Sequence, residues 1–149
     1  MIPATEFYVG VKRNSCAPDE LIRAFHVRPA AGPQYFSKIG TRNAMVIAVC
    51  SFSIALFPEQ QLVGTGLGSA APTPRRAYAA EDFLAEELDW SGPLDERIAA
   101  RFGELVSESA SPIDDVRGTA DYRLHALAVM ARRTLSWCWN DLRDNGKAA

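Results

Sequence analysis

Cysteine and histidine are scarce in this sequence, and their scarcity removes several chemistries at once. The three cysteines, Cys16, Cys50 and Cys138, are odd in number and widely spaced. That pattern argues against a disulfide framework and against a zinc knuckle, so they read as reduced thiols, none in a nucleophile's setting. His26 and His125 are the only histidines. Neither has the closely spaced companions a metal site wants, and both read as structural or solvent-facing. No serine stands in a Gly-x-Ser-x-Gly elbow or near a histidine. The 16 Lys and Arg are scattered and matched by 18 Asp and Glu, so a basic footprint for nucleic acid is missing. Long apolar runs are missing too. The longest, Ala44 to Phe57, is interrupted by Ser51 and Ser53 and is too short to span a bilayer. Met1-Ile-Pro-Ala-Thr-Glu lacks the basic region and apolar core of a signal peptide. These absences predict a cytoplasmic protein that binds neither nucleic acid nor membrane.

What is present suffices for one domain over residues 1–149, with nearly half the residues apolar and a net charge of −2. Glu6-Phe-Tyr-Val-Gly-Val reads as an opening strand, followed by a turn at Cys16-Ala-Pro-Asp-Glu-Leu. Leu21 to Val27 is a second strand candidate, closed by the Pro29 to Pro33 turn, and Gln34 to Thr41 a third. Arg42 to Val46 suggests one helical turn. Cys50, Phe52, Ile54 and Leu56 then alternate with Ser51, Ser53 and Ala55, which marks a strand with one apolar and one mixed face. Pro58-Glu-Gln-Gln connects it to Leu62 to Leu67, its expected antiparallel partner. Gly64 and Gly66 there suggest a bulge or a close backbone approach.

After an irregular crossing at Gly68 to Pro74 the period becomes helical. Tyr78 to Leu88 is a short helix. Pro93 suits the first position of the next, whose face is Leu94, Ile98, Phe102, Leu105 and Val106. Thr119 is a natural N-cap for a long third helix carrying Leu124, Leu127, Ala128, Ala131 and Leu135 on one face. Residues 136–149 read as a polar tail that frays. Strands first and helices last, without βαβ alternation, predict an α+β fold. It would be a small antiparallel sheet of three to five strands, followed by a three-helix bundle packed on one side.

Adjacent carboxylates do not make an acid–base pair in an extended segment, since they point oppositely. Asp114 and Asp115 therefore read as one helix cap and one partner for Arg117 or Arg123. Lys38, between Phe36 and Ile39 on a strand, reads from its surroundings alone as a solvated edge lysine.

Four separated motifs, in order, extend this reading: Pro18-Asp-Glu-Leu-Ile; Tyr35-Phe-Ser-Lys-Ile-Gly-Thr-Arg-Asn-Ala-Met-Val-Ile-Ala; Gly68-Ser-Ala-Ala-Pro-Thr-Pro-Arg-Arg-Ala; and Ser111-Pro-Ile-Asp-Asp-Val-Arg-Gly-Thr-Ala-Asp-Tyr-Arg. From about residue 7 to 135 the chain resembles the C-terminal domain of the FAD-binding medium subunit of molybdenum hydroxylases. That family includes xanthine dehydrogenases, aldehyde oxidoreductases and carbon monoxide dehydrogenases. It departs from the family in having Arg28 where a proline often closes the second strand. The resemblance implies an oxidoreductase flavoprotein in which electrons from iron–sulfur clusters pass through FAD to an acceptor. Molybdopterin and 2Fe-2S clusters would belong to partner subunits. It places Lys38 beside the flavin ring, where a cation favours the negative charge of the reduced cofactor. It sets Ile22 against the ring, with Tyr35 flanking the same cleft. The half of the subunit that grips the FAD diphosphate finds no counterpart in the sequence, so weak or no FAD binding by the chain alone is expected. The alternative is a non-catalytic, stand-alone assembly or interaction domain, or a truncated remnant.

Overall fold

The computed structural model describes residues 1–27, 29–43 and 45–147, the side chains of 145–147 excepted. A four-residue helix, α1 (Ala4–Phe7), leads into a small hairpin of β1 (Tyr8–Gly10) and β2 (Arg13–Asn14). The main sheet has three antiparallel strands in the order β3 (Gln34–Ile39), β4 (Cys50–Phe57), β5 (Leu62–Gly68). Three helices complete the chain: α2 (Tyr78–Glu87), α3 (Glu96–Glu108) and α4 (Ala120–Lys147). The α+β class and the one-sided packing of the helices are as expected.

The sheet's register follows from the alternation of its residues. Tyr35, Ile54 and Thr65 form one cross-strand row, and Ser37, Phe52 and Leu67 the next. Phe52, Ile54, Leu56, Val63 and Leu67 are almost fully buried on that face. The helices lie against it, with α4 on β3 and β4 and α2 on β5. Phe102 of α3 meets Phe52 edge-on, ring centroids 6.0 Å apart. Fully burying side chains of this size contributes about 1.5–3 kcal/mol each, so this face holds the domain together. Polar pairs cross it too, among them the hydroxyls of Ser37 and Thr134 at 2.8 Å.

Gly103 sets the spacing of α3 and α4. A Cβ there would lie 2.5 Å from the Ala128 carbonyl oxygen, so the two backbones approach as closely as they do because the side chain is missing.

Four local expectations are corrected. Leu21 to Val27 is not a strand: the stretch is irregular, and Leu21, Phe25 and Val27 are 94, 80 and 82 % exposed. Its apolar residues do not alternate with polar ones, and among the described residues no neighbouring strand gives it a ladder. The helical turn at Arg42 to Val46 is a series of bends among the described residues, Ala44 being outside them as Arg28 is. The second long helix begins at Glu96 rather than at Pro93, because the Asp95 carboxylate accepts from the Arg97 N–H at 2.7 Å and caps it. For Gly64 and Gly66 only one of the two readings is corrected: the register is unbroken, without a bulge, and the close approach stands.

The polar tail is the fifth and largest difference. Helix α4 runs on to Lys147, and Cys138 and Trp139 are buried. Leu135, Cys138, Trp139 and Leu142 continue the inward face at helical spacing, beneath a polar outer face that masks the pattern. Trp139 packs on Trp90 at 5.4 Å between centroids and donates to the Gly92 carbonyl at 3.3 Å. Trp139→Ala should therefore lower stability by about 3–5 kcal/mol in urea unfolding. A loss below about 1 kcal/mol would show that residues past 135 are dispensable.

Candidate functional site

The face of the sheet turned away from the helices is built from small residues. Its rows are Lys38–Ser51–Gly68, Phe36–Ser53–Gly66 and Gln34–Ala55–Gly64, and a larger pair, Phe57–Leu62, closes the far end of the same face. A Cβ on Gly66 or Gly68 would lie 2.6 or 2.5 Å from the hydroxyl oxygen of Ser53 or Ser51. The serine side chains thus lie over the glycines, and Ser53 donates to the Gly66 carbonyl at 3.3 Å. Glycine is needed here so that the neighbouring strand's hydroxyls can settle flat, which accounts for the close approach suggested by the sequence. From this low surface two larger side chains rise on β3: Phe36, 65 % exposed, and the exposed Lys38. The Lys38 ammonium donates to the Val46 carbonyl at 3.1 Å, which holds it at the corner where the loop after β3 returns.

The three residues singled out for a cofactor do not share one surface. Lys38 stands on the outer face. Tyr35, three residues earlier, points to the helix side and packs against the core. Odd and even positions of a strand face opposite ways, and that geometry separates the two. Ile22 lies in the irregular stretch before β3 and is 50 % exposed. The feature missed in the sequence was the small-residue surface itself. Its signal was the period-two match of Ser51, Ser53 and Ala55 with Gly64, Gly66 and Gly68.

Two charge networks hold β5, one just past its C-terminal end and one at its middle. At the start of the lead-in to α4, Asp114 accepts from the Ala120 N–H at 2.6 Å and Thr119 from the Tyr122 N–H at 3.2 Å, so both cap α4. Asp115 takes the other expected role and pairs with both arginines, Arg117 at 3.1 Å and the buried Arg123 at 2.5 Å. Arg123 also donates to the carbonyl of Ser69 at 3.2 Å. Ser69 has φ 54°, a left-handed conformation disfavoured for a residue with a side chain, directly after Gly68. The pair thus secures the turn that ends the Lys38–Ser51–Gly68 row. At the other network, buried Glu81 accepts from the Thr65 N–H at 2.8 Å and from its hydroxyl at 2.6 Å, and pairs with Arg76 at 2.5 Å. With the Leu67–Arg75 bridge, this closes the free edge of β5.

Two of the three thiols are buried. Burial pushes the Cys50 thiol up, and that of Cys138 up to about 12, keeping both protonated at neutral pH. His26 is exposed, and His125 lies on the exposed side of α4. No cluster of three metal-ligating side chains occurs among the described residues. No helix described is long and apolar enough to cross a membrane.

Known proteins share this architecture. The CO dehydrogenase flavoprotein C-terminal domain family matches residues 35–138, and the chain belongs to that family. It is 29% identical over 145 residues to a putative xanthine dehydrogenase FAD-binding subunit, XdhB, of Escherichia coli K12, covering 91% of this chain and 47% of that protein. It is 28% identical over the same span to the xanthine dehydrogenase FAD-binding subunit of Escherichia coli O157:H7. The chain thus spans about half the length of the curated relatives it matches. Among solved structures, quinoline 2-oxidoreductase from Pseudomonas putida 86 superposes with a TM-score of 0.78 at 22% identity, covering 91% of this chain and 47% of the other. Carbon monoxide dehydrogenase from Hydrogenophaga pseudoflava gives a TM-score of 0.75 at 21% identity, covering 93% and 48%. The fold is shared with both.

Asp115 supplies a test of the clamp on β5. The Arg117 backbone N–H, then the Arg123 guanidinium, hold its carboxyl below the usual carboxylate range. A depressed folded-state value stabilises the fold above the unfolded value of about 3.9, and that contribution is lost as pH falls through the folded value. Asp115→Asn should therefore be less stable than the parent at pH 7, with the gap narrowing at pH 3 in urea midpoints. An equal gap at both values would contradict this role.

Proposed function

We propose that this chain is the C-terminal domain of the FAD-containing electron-transfer subunit of a molybdenum hydroxylase. The reading rests on family membership, on relatives named as FAD-binding subunits, and above all on the small-residue outer face with Lys38 at its corner. FAD, when bound, supplies the carrier between iron–sulfur clusters and an electron acceptor. The chain's own residues suit one side of a flat ring: Ser51, Ser53, Gly66 and Gly68 present a surface without tall side chains. Lys38 sets a positive charge beside it, anchored on the Val46 carbonyl, where negative charge is favoured. Ile22, exposed before β3, is proposed to lie against the ring. Tyr35 serves only to seat the strand on the core from behind.

The diphosphate is assigned to another part of the subunit. Helix N-termini are the natural anion sites of a fold. Here α3 gives its first amides to Asp95, α4 to Asp114 and Thr119, and α2 carries Glu81 in its first turn. Each carboxylate repels what a dinucleotide would bring. We assign the diphosphate grip to an N-terminal half lying outside residues 1–149, and the iron–sulfur and molybdopterin centres to further subunits. The exposed apolar side chains of the first 27 residues support burial in such an assembly. Cytoplasmic placement belongs to the same proposal, and the three unpaired thiols suit it.

Titration of the purified chain with FAD should give no saturable fluorescence quenching at micromolar protein; tight binding would place the diphosphate site within this chain. In a complex reconstituted with an FAD-loaded N-terminal half, Lys38→Ala should lower the flavin midpoint potential by on the order of 30 mV, equal to about 1.4 kcal/mol for two electrons. An unchanged potential would remove Lys38 from the ring's surroundings.

A further inference from the structure

Strand β3 is an edge of the main sheet, hydrogen-bonded on one side only. The carbonyls of Pro33, just before the strand, and of its last residue Ile39 accept from Leu56 and Val49 of the β4 side at 3.0 and 2.7 Å. Odd-numbered backbone groups therefore face β4, and those of Phe36 and Lys38 face outward. The opposite edge of the sheet is closed by Glu81 and Arg75, but no strand of the described residues closes this one.

Alongside the open edge runs a groove of about 500 Å³, whose second wall is α4. Tyr122, His125, Val129, Arg133 and Trp137 line that wall. Their spacing of three or four residues makes one straight stripe along the helix. Tyr122 and Trp137 are 48 and 51 % exposed, at opposite ends of the stripe. The fixed charges that line the groove are Lys38 and Arg133, and no carboxylate lines it. Arg133 is exposed and forms no ion pair among the described residues. This local sign runs against the chain's net charge of −2.

We propose that the groove docks an extended, acidic segment of a partner protein, which adds a fourth strand to the outer edge of β3. The strand edge supplies main-chain hydrogen bonds, and the aromatic residues supply pockets for alternate side chains, the two components of recognition by strand addition. Arg133 selects the acidic partner by charge. A second copy of this chain is disfavoured as occupant. Pairing two β3 edges would bring both copies' Lys38 and Arg133 together, and like charges across strands repel.

The test uses the full chain, labelled for NMR, and a blocked heptapeptide of alternating valine and glutamate. The expected result is saturable shifts at the Phe36 and Lys38 amides and the Trp137 indole N–H. Binding should weaken at least ten-fold for the same peptide with lysine in place of glutamate. It should weaken similarly for Arg133→Glu, whose exposed site leaves the fold intact, and to a lesser extent for Arg133→Gln. N-methylation of alternate peptide amides should abolish the β3 shifts. Absence of saturation at millimolar peptide, equal affinity for the lysine peptide, or shifts confined to the outer sheet face would overturn the proposal. So would a dimer of the chain that occupies the edge in place of the peptide.

Discussion

A three-stranded sheet has two faces, and α2, α3 and α4 cover only one of them. Everything else in the domain follows from which residues fall on which side. Phe52, Ile54 and Leu56 of β4 point at the helices together with Val63 and Leu67 of β5. Burial of these side chains fixes the register, because a slip of one residue would exchange the faces. The same constraint delivers Ser51, Ser53, Gly66, Gly68, Phe36 and Lys38 to the opposite side. A surface for a ring and a core for stability are thus two results of one alternation.

The helices serve this arrangement in different ways. Helix α2 closes one sheet edge through Glu81, whose carboxylate takes the backbone N–H and the hydroxyl of Thr65. Helix α4 lies across β3 and β4 and reaches the far end of the chain's core through Trp139. Its Arg123 holds the left-handed Ser69 just beyond β5. Gly103 lets α3 approach α4 closely enough for Phe102 to meet Phe52. Among the described residues the sheet is therefore closed on one edge and one face, and open on the other edge and face. Those two open surfaces are the ones to which a cofactor half and a partner segment are assigned.

Much of this was legible in the residues. The alternation from Cys50 to Phe57 identified the central strand and its mixed face, and the helical periods located α2, α3 and α4. The roles of Asp114 and Asp115 could be read because a carboxylate before a capped helix has few other uses. Other features depended on tertiary partners. Leu21 to Val27 has strand-like composition but, among the described residues, no strand beside it to pair with. Residues 136–147 look polar because the three inward side chains, Cys138, Trp139 and Leu142, are diluted by the outer face, and only the packed Trp90 and Gly92 show where Trp139 goes. The small outer face was visible only once register put the serines of β4 opposite the glycines of β5. Lys38 was recognisable by resemblance, yet its separation from Tyr35 needed the pleat.

The most direct measurement is lysine acetylation footprinting of the full chain with and without an FAD-loaded N-terminal half of a related FAD-binding subunit. If the outer sheet face meets the ring, Lys38 should be modified at least ten-fold more slowly in the complex, with a smaller change at Lys12 in the β1–β2 turn. Modification of Lys38 at an undiminished rate in a complex shown to form would contradict it.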